Sequence, residues 1–175
     1  LTVSAAEAGA DYSLSVTPYY NKPTQQGLFE HFQVVARSVN LPIILYNVPG
    51  RTGCDLMNDT VVRLSQIDNI VAIKDATGDV ERGAALIEAV PDGFAVFSGD
   101  DATALELMRR GGQGNVSVTA NIAARDMATM CNLALAGEWY AAAEVDARLS
   151  ELNDLLFVEA NPIPVKWAMA QRGMM

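Results

Sequence analysis

A chain of 175 residues, half of them hydrophobic, is long enough to bury a substantial core and short enough to be one domain. Its 12 basic against 21 acidic residues leave a formal charge of −9, which disfavours nucleic acid as a partner, and no basic, aromatic-interleaved patch offsets it. Apolar runs of only a few residues, with no charged and cleavable leader at the start, speak against a membrane span or export, so the expected compartment is the cytoplasm. Cys54 and Cys131 fit neither a disulfide framework nor a zinc motif and are expected as free thiols. A zinc-dependent aldol site needs several imidazoles, and His31 stands alone, so no metal is expected.

Residues 4–9 read as the end of a helix, and Leu1 is no initiator methionine, so the expectation is a chain that opens within an element. Five strand-like segments follow at similar intervals, at residues 12–17, 42–48, 70–74, 94–98 and 115–119, each succeeded by a helix. In the first of those helices Leu28, Phe32, Val35 and Val39 keep the spacing of a core-facing stripe. His31 lies beside it and is given no catalytic role. Asn58 is expected to cap the helix holding Val61, Val62 and Leu64, and Asp100 or Asp101 the one holding Leu105 and Met108. Residues 123–157 read as helical with a break near Gly137. Ala142, Val145, Leu149, Leu152 and Leu156 then form a helix-packing seam. Asn161-Pro162-Ile163-Pro164 forces a turn before a last helix from about Val165.

Repeated strand–helix units predict a parallel α/β sheet. Tyr20, Tyr46, Lys74, Gly99 and Asn121 all fall at or just beyond the C-terminal ends of their strands, where a (β/α)8 TIM barrel gathers its chemistry. A doubly wound nucleotide-binding sheet should instead carry a glycine fingerprint after its first strand, and none occurs. Each unit takes roughly 25–30 residues of a barrel of about 250. The expectation is therefore an incomplete barrel, the last five units of eight (strands 4–8), over residues 1–137. A truncated C-terminal helical region takes up residues 138–175. Val16, Leu45, Ile73 and Val118 are expected on the barrel's inner face.

The chemistry concentrates between residues 42 and 78. Ile70-Val71-Ala72-Ile73-Lys74 is a continuous apolar run ending in lysine, the pattern of a parallel strand buried on both faces. An ammonium among Ile and Val loses hydration, so its pKa falls and a neutral amine becomes available for a Schiff base. A lysine at a strand end also snorkels to solvent, and the preceding strand weighs against that reading. It ends in Tyr46 at the matching height, and consecutive strands of a parallel sheet usually pair. A phenol there can pass protons between amine, carbonyl oxygen and water. Arg51, in the next loop, offers a planar fork for a carboxylate. The set suits a carbonyl acid.

Five motifs now stand in order at strand ends. They are Val16-Thr17-Pro18-Tyr19-Tyr20-Asn21-Lys22-Pro23, Leu45-Tyr46-Asn47-Val48-Pro49-Gly50-Arg51-Thr52-Gly53, Ile73-Lys74-Asp75-Ala76-Thr77-Gly78, Ser98-Gly99-Asp100-Asp101 and Ser117-Val118-Thr119-Ala120-Asn121. With Asn161-Pro162-Ile163-Pro164-Val165-Lys166-Trp167 they resemble the dihydrodipicolinate synthases, more strictly 4-hydroxy-tetrahydrodipicolinate synthases, of the N-acetylneuraminate lyase superfamily of pyruvate-dependent class I aldolases. The resemblance implies a lyase of lysine and diaminopimelate biosynthesis that needs no cofactor. Lys74 forms the imine with pyruvate, whose enamine attacks L-aspartate 4-semialdehyde. It implies Tyr46 as proton relay, and Tyr20 as relay for a neighbouring subunit across a dimer interface. Arg51 then holds the semialdehyde carboxylate, Gly99 and Val116 line the pocket with main-chain groups, and Tyr19 lies near a site for L-lysine as inhibitor. A homo-oligomer, a dimer of dimers, is implied, with no membrane or nucleic-acid partner.

The family's relay threonine and its Gly-x-x-Gly-Glu segment for the pyruvate carboxylate are not in this sequence, so the chain by itself is expected to be inactive. Within the superfamily the alternative is N-acetylneuraminate lyase or a keto-deoxy sugar acid aldolase, against which Arg51-Thr52-Gly53 favours the synthase. An alternative of another class is a non-catalytic barrel fragment whose sheet serves association.

Overall fold

The computed structural model describes residues 1–175. Helix α1 (Thr2–Glu7) precedes β1 (Ser13–Val16). Strands and helices then alternate through α2 (Gln25–Arg37), β2 (Ile43–Asn47), α3 (Pro49–Thr52), α4 (Asn58–Leu64), β3 (Ile70–Asp75), α5 (Val80–Ala89) and β4 (Ala95–Ser98). A 3₁₀ turn (Asp101–Thr103) leads into α6 (Ala104–Arg109), followed by α7 (Ala120–Leu135), α8 (Trp139–Leu155) and α9 (Ile163–Gln171). All strand pairs are parallel, in the order β1-β2-β3-β4, an open arc of a (β/α)8 barrel. No helix is long and apolar enough to cross a membrane.

Helix starts follow local chemistry. The Thr24 hydroxyl accepts from the Gly27 N–H at the head of α2, and the Asp79 carboxylate accepts from the Arg82 N–H at the head of α5. Pro49 sits in the first turn of α3, and Gly53 ends that helix with a left-handed φ of 61°, a conformation that costs glycine nothing.

The helices cover one face of the sheet. Leu28 and Phe32 of α2, Val61 and Leu64 of α4, Leu86 of α5 and Leu107 of α6 pack on Ile43, Leu45, Ile73 and Val96. The opposite face carries the row Val16, Tyr46, Lys74 and Phe97, which are register partners on successive strands. This corrects two expectations. Leu45 and Ile73 face the helices and not the barrel interior, and β3, expected to be buried on both faces throughout, leaves Val71 and Lys74 half-buried between the buried Ile70, Ala72, Ile73 and Asp75. A second core joins α6 to α7 and α8 through Leu105, Met108, Met127, Met130, Val145 and Leu149.

Residues 115–119 depart from their expected strand. The Ser98 N–H donates to the Gly114 carbonyl (2.9 Å) and the Val116 N–H to the Ser98 carbonyl (2.8 Å), which leaves a single bridge between Ser98 and Asn115. Beyond it the N–H groups of Val118 and Thr119 donate to the Asp101 carboxylate, at 3.0 and 2.9 Å. Groups that would have extended the ladder are captured by a side chain, and the chain turns into α7.

Smaller differences have equally local causes. Asn58 is the first residue of α4 and does not cap it, because its amide donates to the Arg82 carbonyl and its oxygen accepts from the Arg82 guanidinium. Neither aspartate caps α6, whose N-cap is Thr103 without a side-chain bond; Asp100 caps the 3₁₀ turn before it, accepting from the Thr103 N–H. The α2 stripe is Leu28, Phe32 and Ala36, with Val35 partly buried against the same core, and it stops short of Val39 because the helix ends at Arg37. In the α8 seam Asn153 is buried in place of Leu152, its oxygen accepting from the Thr119 hydroxyl at 2.7 Å. Helix α9 begins at Ile163, with Pro164 tolerated in its first turn.

Candidate active site

Strand alternation decides which side chains meet. Asn47 and Asp75, each one residue past the open-face pair Tyr46 and Lys74, point among the helices. The Asn47 amide donates to Asp55 (2.9 Å), and its oxygen accepts from the Leu56 N–H (3.0 Å). Arg82 clasps the same Asp55 carboxylate with two nitrogens, at 2.7 and 2.8 Å, and also donates to the Leu56 carbonyl. That guanidinium holds Asp55 below the usual carboxylate range. Burial pushes the Asp75 carboxyl up, although the Thr77 hydroxyl donates to it at 2.7 Å. A polar network behind the sheet thus fixes the ends of β2 and β3, and with them the height at which Tyr46 and Lys74 emerge.

On the open face the Lys74 Nζ lies 4.3 Å from the centroid of the Tyr46 ring. Burial pushes the Lys74 amine below its ordinary value, and the negative charge of Asp101 opposes that shift. Burial pushes the Tyr46 phenol up, with Arg51 opposing. The two shifts are complementary: the amine sheds its proton more readily while the phenol keeps one to give.

Gly99 leaves room for this lysine. A Cβ placed there meets the Lys74 Cε at 2.7 Å and the Ala76 Cβ at 2.8 Å, inside any tolerable contact. The backbone of Gly99 is itself held, its N–H donating to the Asp75 carbonyl at 2.7 Å. Tyr46, Arg51, Lys74, Gly99, Asp100 and Val118 share the walls of a cleft of about 460 Å³ with Phe157, Ala160 and Asn161 from beyond α8. Arg51 reaches across and donates to the Asn161 carbonyl at 3.1 Å, which ties the turn after α8 to the strand ends.

The family model for the dihydrodipicolinate synthetases matches residues 1–175. The chain belongs to that family. It is 60% identical over 174 residues to the 4-hydroxy-tetrahydrodipicolinate synthase of Nitrosomonas europaea, covering 99% of this chain and 60% of the relative. To the synthase of Pseudomonas syringae it is 55% identical over 175 residues, covering all of this chain and again 60% of the relative. Among solved structures it superposes on the chloride-inhibited dihydrodipicolinate synthase of Acinetobacter baumannii in complex with pyruvate. That match has a TM-score of 0.97 at 56% identity, over 99% of this chain and 60% of that one. The lysine-bound synthase of Cyanidioschyzon merolae matches with a TM-score of 0.94 at 40% identity, over 98% of this chain and 59% of that one. The chain therefore spans about 60% of the length of the relatives it matches.

Of the residues singled out in the sequence, Lys74, Tyr46, Arg51 and Gly99 come together in one cleft. Tyr20 does not join them and projects from the surface, 94% exposed. Tyr19 borders a neighbouring cleft of about 390 Å³ that shares Tyr46, Val48 and Arg51. Val116 stands outside the main cleft, and Val118, two residues on, lines it. His31 and Asn121 are exposed. Sequence reasoning placed Val118 on the inner face, where it lines the cleft, but missed Asp101 and Asn161. The signal for Asp101 was present: two aspartates follow Gly99, and one helix start needs only one cap.

Proposed function

We propose that this chain supplies the nucleophile of a 4-hydroxy-tetrahydrodipicolinate synthase, which joins pyruvate to L-aspartate 4-semialdehyde on the way to diaminopimelate and lysine. The observation that carries this reading is the Lys74 amine, pushed down by burial and 4.3 Å from the Tyr46 ring centre in a cleft that also holds Arg51. The names of the relatives, and the pyruvate held by the Acinetobacter baumannii synthase, support it.

In this reading neutral Lys74 adds to the pyruvate carbonyl, and the resulting carbinolamine loses water to give the imine, with the Tyr46 hydroxyl carrying the proton that leaves with that water. Loss of a methyl proton gives the enamine, whose carbon attacks the aldehyde of the second substrate. Cyclisation of the product then releases Lys74. Arg51 uses one nitrogen on Asn161, and its remaining N–H donors are placed for the semialdehyde carboxylate at the mouth. Gly99 bounds the pocket, and Val118 takes the place in its wall that the resemblance gave to Val116. Tyr20, exposed and outside its own cleft, serves the relay of a second copy, which makes the working form a homo-oligomer built as a dimer of dimers. Tyr19 lies near the site of L-lysine inhibition, and the lysine-bound Cyanidioschyzon merolae structure supports regulation of that kind. Free thiols at Cys54 and Cys131 suit a reducing compartment, and we place the enzyme in the cytoplasm.

The test is borohydride reduction in the presence of pyruvate, followed by peptide mapping. It uses a hybrid in which the N-terminal segment of the Nitrosomonas europaea relative precedes residue 1. The adduct is expected on Lys74. Labelling of Lys22 or Lys166 with Lys74 spared would remove the mechanism. In the same hybrid Tyr46→Phe keeps the ring packed under the lysine and loses only the hydroxyl. Imine formation is expected to slow by roughly 10²–10⁴-fold, and an unchanged rate takes Tyr46 out of the relay. Gly99→Ala is expected to force Lys74 off its path and cost on the order of 10²-fold in adduct formation, since displacement of about 1 Å is enough for that. Equal trapping rates for Gly99→Ala and the parent would show that the lysine has another route to the carbonyl.

A further inference from the structure

Thr52 follows Arg51 on the one-turn helix α3, yet Arg51 is exposed and Thr52 is buried, at 7%. The chemistry described so far makes no use of its hydroxyl, and a buried hydroxyl needs partners. This one accepts from the Cys54 N–H at 3.2 Å, and its single proton is shared between the Cys54 carbonyl at 2.7 Å and the Val48 carbonyl at 3.2 Å. Val48 is the N-cap of α3, and Cys54 follows its C-cap, Gly53. One side-chain oxygen therefore ties the entry of the Arg51 turn to its exit.

The backbone alone holds such a turn poorly, since a helix of 4 residues has little stability of its own. Its main-chain bonds run from the N–H groups of Arg51 and Thr52 to the Val48 carbonyl and from the Gly53 N–H to the Pro49 carbonyl. Lys22 lies across the outside of the turn, where a Cβ on Gly53 would meet the Lys22 Cε at 3.0 Å. The far end of Arg51 is anchored separately, by donation to the Asn161 carbonyl at 3.1 Å. The ion pairs of the chain join Arg82 to Asp55, and Arg109 and Arg110 to Glu106 and Glu81, and leave Arg51 out. Its charge is thus fixed in place at both ends of the side chain and has no acid to answer it. A guanidinium on a loose turn must be ordered at the moment an anion binds, and that ordering weakens the complex.

Resting on the role assigned to Arg51 above, we propose that Thr52 is a positioning residue for the second substrate: its hydroxyl locks the turn from Val48 to Cys54 so that the Arg51 guanidinium is already in place for the semialdehyde carboxylate. The pyruvate step does not need this lock, because Tyr46 and Lys74 are set by the pairing of β2 with β3 and by the bonds of Asn47 behind the sheet.

The test is a double-mutant cycle in the hybrid, in which both the KM for L-aspartate 4-semialdehyde and the rate of borohydride-trapped pyruvate on Lys74 are measured. Thr52→Val keeps the branched shape and removes the hydroxyl. It is expected to raise the semialdehyde KM by roughly 10–100-fold, the scale of one hydrogen bond to a charged group, and to leave the trapping rate at that of the parent. Thr52→Ser returns the hydroxyl and is expected to restore the parent KM. In an Arg51→Ala background, Thr52→Val is expected to add no further loss. A purely structural role would lower trapping and turnover alike in both backgrounds, and that result overturns the proposal, as does an unchanged KM in Thr52→Val or a failed rescue by Thr52→Ser. If Thr52→Val does not fold, Thr52→Ala is taken through the same cycle. An Arg51→Ala hybrid that keeps the parent KM would instead remove the Arg51 reading itself, an outcome separate from Thr52→Val matching the parent while Arg51→Ala departs from it.

Discussion

Lys74→Arg in the completed barrel is expected to abolish the borohydride-stable pyruvate adduct and to lower turnover by roughly 10⁴–10⁶-fold, the scale on which loss of a covalent nucleophile is felt. The argument separates charge from nucleophilicity. A guanidinium stays protonated throughout the working pH range and cannot add to a carbonyl, but it keeps the positive charge over the Tyr46 ring. The electrostatics of the cleft are thereby largely retained while the reacting atom is removed. Circular dichroism of the variant should match the parent, because Lys74 stands on the open face and the core residues around Leu45, Ile73 and Val96 are untouched. Turnover within about tenfold of the parent would show that carbon–carbon bond formation does not pass through this amine. An adduct relocated to Lys22 would point to the one other lysine near the strand ends, whose side chain packs over Gly53.

The elements legible in the sequence were those specified by neighbouring residues. Leu28 and Phe32 announce a helix stripe, Gly137 a helix break, and Ile43 to Tyr46 a strand, because side-chain period and backbone freedom are local properties. The pairing of Tyr46 with Lys74 was legible for a related reason, since consecutive parallel strands pair and their polar ends align. What escaped depends on partners far along the chain. Residues 115–119 have the composition of a strand, and only the Asp101 carboxylate, 17 and 18 residues before its backbone donors, turns them aside. Asn58 reads as a cap until Arg82, 24 residues on, claims both ends of its amide. Arg51 meets the carbonyl of a residue 110 positions away. The covering of the sheet on one face was hidden as well, because Ile and Val suit a strand whether or not its second face has a neighbour.

Residues 1–175 expressed by themselves are expected to self-associate and to show no condensation of pyruvate with aspartate semialdehyde. The helix-covered core is intact around Phe32, Leu45, Leu64 and Ile73, so the chain has reason to collapse onto that face. The other face is where it is deficient. Leu14 is 47% and Val16 38% exposed, and Ile44 and Phe97 are only half-buried in the same open concavity. Full burial of a large apolar side chain is worth about 1.5–3 kcal/mol. Four incompletely covered ones amount to several kcal/mol, against a total domain stability of about 5–15 kcal/mol. Strand β1 has β2 on one side and no strand on the other, so its unpaired backbone groups offer a template to a second copy. The cleft holds the amine, the phenol and the guanidinium, but the chain spans about 60% of the length of the relatives it matches. Light scattering should therefore find assemblies in place of a monomer, and a coupled assay should find no turnover. Leu14→Lys, which puts a charge on the open face of the edge strand, should reduce the association without restoring activity. A monomeric, monodisperse preparation with substantial turnover would overturn both halves of the expectation, and would mean that the cleft between β2, β3 and the turn after α8 is sufficient for the chemistry.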